Sequence, residues 1–126
     1  MGKVSTFRDL VAYQRARTLS NSVHRFTRRL PRDCQYEIAS QLRRAASSVR
    51  LNIAEGFGTG TRPGFLRHLR IARGSLFEAD AALEEIGDLG LAEVDPELIE
   101  LVRECDRVLQ GLIRSLERNP TARENE

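Results

Sequence analysis

The sequence predicts an all-α protein, folded as an antiparallel up-down-up-down four-helix bundle. Apolar or small residues recur every three or four positions through most of the chain, which is the period of a helix rather than of a strand. There are only four prolines and no run of alternating valine, isoleucine and threonine. A chain of 126 residues is long enough for one core. We therefore predict a single domain, residues 1–118, followed by a disordered tail at 119–126.

Four helices are predicted, at about residues 6–29, 34–55, 62–87 and 96–117. The first should begin after Ser5 or Thr6 and end before Leu30-Pro31, because the residue before a proline disfavours the helical conformation. Asp33 is placed to cap the second. Residues of the first helix recur with a heptad-like spacing that predicts the seam of a bundle: Ala12, Ala16, Leu19, Val23, Phe26 and Leu30.

The third and fourth helices have clear start signals. Thr61 can cap the third, with Pro63 in its first turn, and Asp95-Pro96 marks the start of the fourth. Gly56 is the predicted C-terminal glycine of the second helix, leading into a short glycine-rich loop. Gly74 lies in the middle of the third helix, where it costs about 1 kcal/mol relative to alanine. A close helix crossing would explain it. Short connections force neighbouring helices to run antiparallel.

A polar network is predicted where the second and third helices meet. Asn52 falls on an apolar seam, where an unpaired amide would cost about 1–3 kcal/mol, so we expect it to have a partner. Glu55 lies at the negative end of its helix dipole, which suggests a nearby cation, Arg73 or Arg44. The alternative is a solvated Glu55 and an asparagine at the edge of the seam. The predicted network comprises Asn52, Glu55, Arg73 and Ser75.

Three large apolar residues, Leu51, Ile71 and Phe77, lie about 110–120° from the centres of their own seams. A single bundle would leave them exposed to water. Isolated exposed apolar side chains are common on protein surfaces. The alternative, which we favour, is that these residues form an interface between the subunits of a homo-oligomer.

Charge is divided along the chain. Residues 1–75 hold 15 Lys and Arg against 4 Asp and Glu, or +11, whereas residues 76–126 hold 5 against 14, or −9, and these sum to the net +2. The two halves could attract each other within or between subunits, or leave a basic face for an anionic partner. Arginines could contact phosphates without reading bases. The candidates for binding nucleic acid are Arg17, Arg28, Arg43, Arg44, Arg50, Arg67 and Arg70. The alternative is an arginine face that is solvated or salt-bridged between subunits.

Signals for other chemistry are weak. We predict no metal and no cofactor, because neither cysteine has the spacing of a metal ligand. Cys105 belongs to an apolar stripe, whereas Cys34 lies in the first turn of a helix, where a thiolate is favoured. Arg62 and His68 fit the loose pattern of the HEPN ribonucleases, in which histidine acts as a general acid or base. No membrane span or signal peptide is visible, so we expect a cytoplasmic protein without a membrane partner.

Two sequence runs resemble a known family: Arg43-Arg44-Ala45-Ala46-Ser47-Ser48-Val49 with Asn52-Ile53-Ala54-Glu55-Gly56, and Ile71-Ala72-Arg73-Gly74-Ser75-Leu76 with Glu78. At this separation they resemble the four-helix bundle family of 23S ribosomal RNA intervening-sequence proteins, which also includes the accessory variability determinant of diversity-generating retroelements. The resemblance covers about residues 7–117. It implies a homopentameric barrel with a positively charged surface, and it does not imply a catalytic activity. For the retroelement members it also implies binding of nucleic acid and of a reverse transcriptase. Arg50 stands where many members carry proline, and the second half of this chain is unusually acidic.

The residues and the resemblance together predict a protein that is not an enzyme. We expect a homo-oligomeric scaffold, a pentamer by the resemblance, that binds the phosphate backbone of RNA or DNA, or a nucleic-acid enzyme such as a reverse transcriptase, or both. A bundle with a purely structural or protein-interaction role is the alternative, and a HEPN-like ribonuclease is a further one.

Overall fold

The computed structural model describes residues 3–118, so the predicted tail at 119–126 lies outside the described residues. Within that range the chain forms four α-helices and no strand. They are α1 (Val11–Thr27), α2 (Ser40–Gly58), α3 (Arg62–Asp88) and α4 (Pro96–Arg118). The prediction of an all-α fold with four helices is confirmed.

The first helix begins later than predicted. Phe7–Asp9 form a separate 3-10 turn, and Leu10 is extended before α1 starts. Thr6 caps this turn, with its hydroxyl accepting from the Arg8 amide at 3.1 Å. In return, the Asp9 carboxylate accepts from the backbone amides of Ser5 and Thr6, at 2.9 and 3.0 Å. These bonds hold the pKa of Asp9 below its ordinary value. The predicted start after Thr6 is therefore the start of a short turn that precedes the helix.

The connection from α1 to α2 is held by one glutamine. A 3-10 turn (Arg32–Cys34) and a π-helical turn (Gln35–Ala39) lead directly into α2, and no side chain caps either turn, so the prediction that Asp33 caps this helix is wrong. The amide of Gln35 donates to the Thr27 and Leu30 carbonyls at 2.8 and 3.1 Å. It thereby provides a partner for the Leu30 carbonyl, and a second partner for the Thr27 carbonyl, which also accepts from the Leu30 amide.

The prediction that Gly56 ends the second helix is wrong. α2 continues to Gly58, and Gly56 is buried where α2 crosses α3. A Cβ added to Gly56 would lie 2.7 Å from Cβ of His68, so the glycine permits the close approach of the two helices. The left-handed residue in the connection is Gly60, with φ of 75°. Thr61 caps α3 as expected, because its hydroxyl accepts from the Gly64 amide at 3.1 Å.

The core is shared by all four helices. α1 packs against α2 and α4, and α3 packs against the same two helices. The largest side chains at its centre are fully buried aliphatic ones: Leu19, Leu42, Ile53, Leu69, Leu76, Leu83, Ile86 and Leu109. Cys105 is buried among them, and burial raises the pKa of its thiol to about 12. No helix among the described residues is long and apolar enough to cross a membrane.

Candidate nucleic-acid interface and polar seam

A chain of hydrogen bonds crosses the contact between α2 and α3. The hydroxyls of Ser48 and Ser75 lie 2.8 Å apart. The Asn52 amide donates to the Ser48 carbonyl at 2.9 Å and to its hydroxyl at 3.0 Å. Because Nδ2 of Asn52 is the donor, its Oδ1 is free to accept from Nδ1 of His68, which lies 3.0 Å away. Asn52 therefore has the partners that its position on the seam requires.

The side chain that faces Glu55 is that of His68, and not of Arg73 or Arg44. Nε2 of His68 lies 3.6 Å from Oε2 of Glu55. Arg73 instead donates to Asp106 of α4 at 2.8 Å, outside the network. The reason is helical phase: Arg73 lies five residues after His68, about 140° further around α3, and so faces α4 rather than α2. The observed network is Ser75, Ser48, Asn52, His68 and Glu55.

The same geometry argues against the ribonuclease pattern. His68 is buried, with 8% of its surface exposed, and its two ring nitrogens face Asn52 and Glu55. A general acid or base must reach the proton that it transfers. Both ring nitrogens of His68 face groups in the contact between α2 and α3, whereas Arg62, six residues earlier, is partly exposed. The geometry therefore disfavours the alternative in which Arg62 and His68 act together at an accessible phosphate site.

Three of the seven candidate arginines have partners within the chain. Arg43 donates to the side-chain and main-chain oxygens of Gln35, at 3.1 and 3.3 Å. Arg50 donates to the Tyr13 hydroxyl at 2.7 Å, and its guanidinium lies 5.3 Å from the centre of that ring. Arg70 pairs with Glu117 at 2.6 Å. These three side chains therefore already make contacts within the subunit.

The other four candidates are exposed, and their side chains have no hydrogen bond or ion pair to any residue in the range 3–118: Arg17, Arg28, Arg44 and Arg67. α1 contains no acidic residue, and α2 contains only Glu55. Arg44 lines the groove beside α2 together with Ser47 and Leu51. The surface of α1 and α2 is therefore predominantly cationic, whereas most of the acidic residues in the range 3–118 lie in α3, in α4 and in the segment between them.

The model of one protein family, described as 23S rRNA-intervening sequence protein, matches residues 8–114. The chain belongs to this family. The resemblance seen in the sequence runs is thereby confirmed. No curated protein matches the chain.

In this intervening-sequence protein, the division of charge is partly used within one subunit. Arginines of the first half pair with acidic residues of the second half in four places: Arg15 with Glu104, Arg29 with Asp95, Arg70 with Glu117, and Arg73 with Asp106. These pairs join α4 and the segment before it to α1 and α3. Each is at least partly exposed, so each contributes modestly to stability.

The three apolar residues that we assigned to a subunit interface are exposed in the single chain, Leu51 at 61%, Phe77 at 49% and Ile71 at 40%. They do not form one patch. Leu51 lines the groove between α1 and α2, whereas Phe77 lines a cleft between α3 and α4 with Ile113. The largest exposed aromatic residue was missed: Tyr36, at 91%, in the π-helical turn. Its neighbours in the sequence, Gln35 and Glu37, are polar, and this was the available signal that Tyr36 is exposed.

The cysteine prediction needs one correction. Partial burial raises the pKa of the Cys34 thiol, and the carboxylates of Asp33 and Glu37 raise it further. The thiolate that we expected at a helix start is therefore disfavoured, because nearby negative charge opposes it. Among the described residues, no group of three or more His, Cys, Asp or Glu could hold a metal ion.

Proposed function

We propose that this intervening-sequence protein is a non-catalytic, homo-oligomeric scaffold that binds the phosphate backbone of RNA or DNA in the cytoplasm. The observation that carries the proposal is a set of exposed arginines whose side chains have no partner among residues 3–118. They lie on α1, on α2 and just after α1: Arg17, Arg44 and Arg28. The bundle is taken as antiparallel, up-down-up-down, because its connections are short.

The chemistry of this surface suits backbone contact rather than base recognition. A guanidinium offers forked donors that match phosphate oxygens. Contacts of this kind position a protein on nucleic acid but carry no sequence information. Since counterions are released on binding, the affinity should fall steeply with salt. A nucleic-acid enzyme such as a reverse transcriptase is the protein partner that we propose for the same scaffold, from the family resemblance.

The assembly that we propose is a ring. Leu51 and Phe77 lie in different depressions of the surface, so a contact that buries both joins unlike faces of neighbouring copies. Contacts between unlike faces close into rings when the rotation between copies allows it. A ring of five is the number that the family resemblance implies.

The test is fluorescence anisotropy of labelled RNA and DNA duplexes, titrated with the protein at two salt concentrations. Replacing Arg17, Arg28 and Arg44 together by glutamine should weaken binding at low salt and reduce the salt slope by about one for each lost phosphate contact. These side chains hold nothing in the fold, so the variant should stay folded. The matched control is Arg70→Gln, which removes one charge that is already paired with Glu117 and should leave binding almost unchanged.

Each outcome decides between the alternatives. Binding that falls with salt and depends on the three unpaired arginines supports the proposal, and intact RNA after the titration excludes a ribonuclease under those conditions. If the wild-type protein binds neither RNA nor DNA at low salt, the nucleic-acid role is refuted. The arginines would then serve a purely structural or protein-interaction bundle.

A further inference from the structure

Gly74 has no role in packing within its own chain. It lies in the middle of α3, it is exposed, and a Cβ added to it would meet no heavy atom within 4 Å. The close crossing that the sequence suggested at this residue is absent from the described chain, because α2 and α3 approach each other at Gly56 instead. Glycine in a helix interior is less stable than alanine by about 1 kcal/mol. Its backbone is therefore exposed on the surface of α3, where it helps to line the cleft that Phe77 and Ile113 also line, at a cost that nothing among the described residues offsets.

Gly74 belongs to a second regular stripe on α3, here called the outer stripe. Its six residues are all exposed and are spaced 4, 3, 4, 3 and 4 apart: Arg67, Ile71, Gly74, Glu78, Ala81 and Glu85. At 100° per residue they fall within about 80° of one another, on the side of α3 opposite the core. The stripe is about 27 Å long at 1.5 Å per residue. Spacing of this kind is typical of a helix that packs against another helix.

The order of residues along the outer stripe makes it complementary to itself. One end is positive at Arg67, and the other is negative at Glu78 and Glu85. When two copies run antiparallel about a point midway between Gly74 and Glu78, Arg67 of each faces Glu85 of the other. A parallel arrangement would place like charges together. Charge complementarity therefore selects the antiparallel pairing.

The remaining positions of the outer stripe fit the same alignment. Ile71 of each copy faces Ala81 of the other, so the larger apolar side chain meets the smaller one. Gly74 faces Glu78, and because it has no side chain, the two helices can come close where a larger residue would hold them apart. None of these six side chains has an ion pair or a side-chain hydrogen bond to any residue in the range 3–118.

We infer that the outer stripe of α3 is a docking surface for a second copy of this chain, which packs antiparallel on it about a two-fold axis. The inference rests on the proposed homo-oligomer and adds a contact between like faces to it. A two-fold contact joins copies in pairs. It therefore gives a dimer, or two rings held face to face, and an even number of chains in either case. In that assembly Arg67 is used by the neighbouring subunit rather than by nucleic acid.

The experiment compares two glycine variants by sedimentation equilibrium over a wide range of concentration. Gly74→Gln should raise the dissociation constant of the pairing at least about tenfold, since a side chain there separates the helices. The matched control is Gly111→Gln, because Gly111 is also exposed and helical, and a Cβ added there also meets no heavy atom within 4 Å. It lies on α4, so it should leave the pairing unchanged. Circular dichroism should show both variants folded.

A charge exchange tests the alignment directly. Arg67→Glu and Glu85→Arg should each weaken self-association, because each places like charges opposite one another. Mixing the two variants should restore association, since every facing pair is then of opposite sign. Failure to restore it would overturn the antiparallel alignment.

The outcomes separate this inference from the proposed function. A wild-type assembly of five chains would overturn the two-fold contact, which requires an even number, while leaving the proposed ring in place. A wild-type protein that stays monomeric would overturn both. Nucleic-acid binding that is retained by Gly74→Gln would show that backbone binding does not depend on this contact.

Discussion

Replacing Gly56 by alanine tests how closely α2 and α3 approach each other. The new methyl group would lie 2.7 Å from Cβ of His68, 3.2 Å from a ring carbon of Phe65, and 3.3 Å from the Phe65 carbonyl oxygen. Ordinary contact between carbon atoms requires about 3.5–4.0 Å. The closest of these atoms is next to the backbone, so it cannot swing away as the end of a flexible side chain could. The two helices must therefore separate.

The expected cost follows from two opposing terms. Overpacking of this kind destabilises a protein by about 1–3 kcal/mol, and a contact about 1 Å too short belongs at the upper end. Alanine recovers about 1 kcal/mol of helix propensity relative to glycine. The free energy of unfolding should therefore fall by about 2 kcal/mol. For a chain of this size the melting temperature should fall by roughly 6–10 °C.

The assay is urea unfolding followed by circular dichroism at a fixed protein concentration. The control is Gly58→Ala, two residues later in α2, where a new Cβ would meet no heavy atom within 4 Å. That variant should be as stable as the wild type or slightly more stable. If Gly56→Ala were as stable as Gly58→Ala, the close approach of α2 and α3 at this position would be wrong.

Two further predictions concern buried groups. Asn52→Ala should lower the free energy of unfolding by about 1–3 kcal/mol in the same assay, because His68 would lose its hydrogen-bond partner. The control is Ser47→Ala, nearby and outside the network, which should change the free energy of unfolding by less than about 0.5 kcal/mol. Equal effects of the two substitutions would contradict the network. Because the Cys105 thiol has its pKa raised to about 12, it stays protonated at pH 8, so a Cys34→Ser variant should react with a disulfide reagent only in denaturant. Rapid reaction in native buffer would contradict the burial of Cys105.

The sequence was a good guide to the helices wherever local chemistry determines their ends. Thr61, with proline in the first turn, and Asp95-Pro96 mark helix starts that the structure reproduces, because capping depends only on neighbouring residues. Gly56 was misjudged because a glycine suits both a helix end and a close crossing. Only its packing against His68 distinguishes the two cases.

Partners across the bundle were harder to predict. The position of Asn52 on an apolar seam was enough to require a hydrogen bond, but not to identify His68 as the group that provides it. Arg73 and Arg44 were plausible partners for Glu55 by charge alone. The facing residue depends on the rotation of α3 about its axis and on its register against α2, and both are set by tertiary packing. For the same reason the sequence could not tell the arginines that hold the fold from those that are free.

The hydrogen-bond chain from Ser75 to His68 also fixes how far along its axis α2 lies on α3. Sliding one helix by a single turn, about 5.4 Å, would bring Ile71 or Ala79 opposite Ser48, which breaks its bond to Ser75, and would separate Asn52 from His68. A purely aliphatic contact would tolerate such a shift at little cost, since one leucine can replace another in a groove. Misaligned forms of the α2–α3 pair are excluded because they would leave polar groups without hydrogen-bond partners, even where the correctly paired polar residues add little net stability.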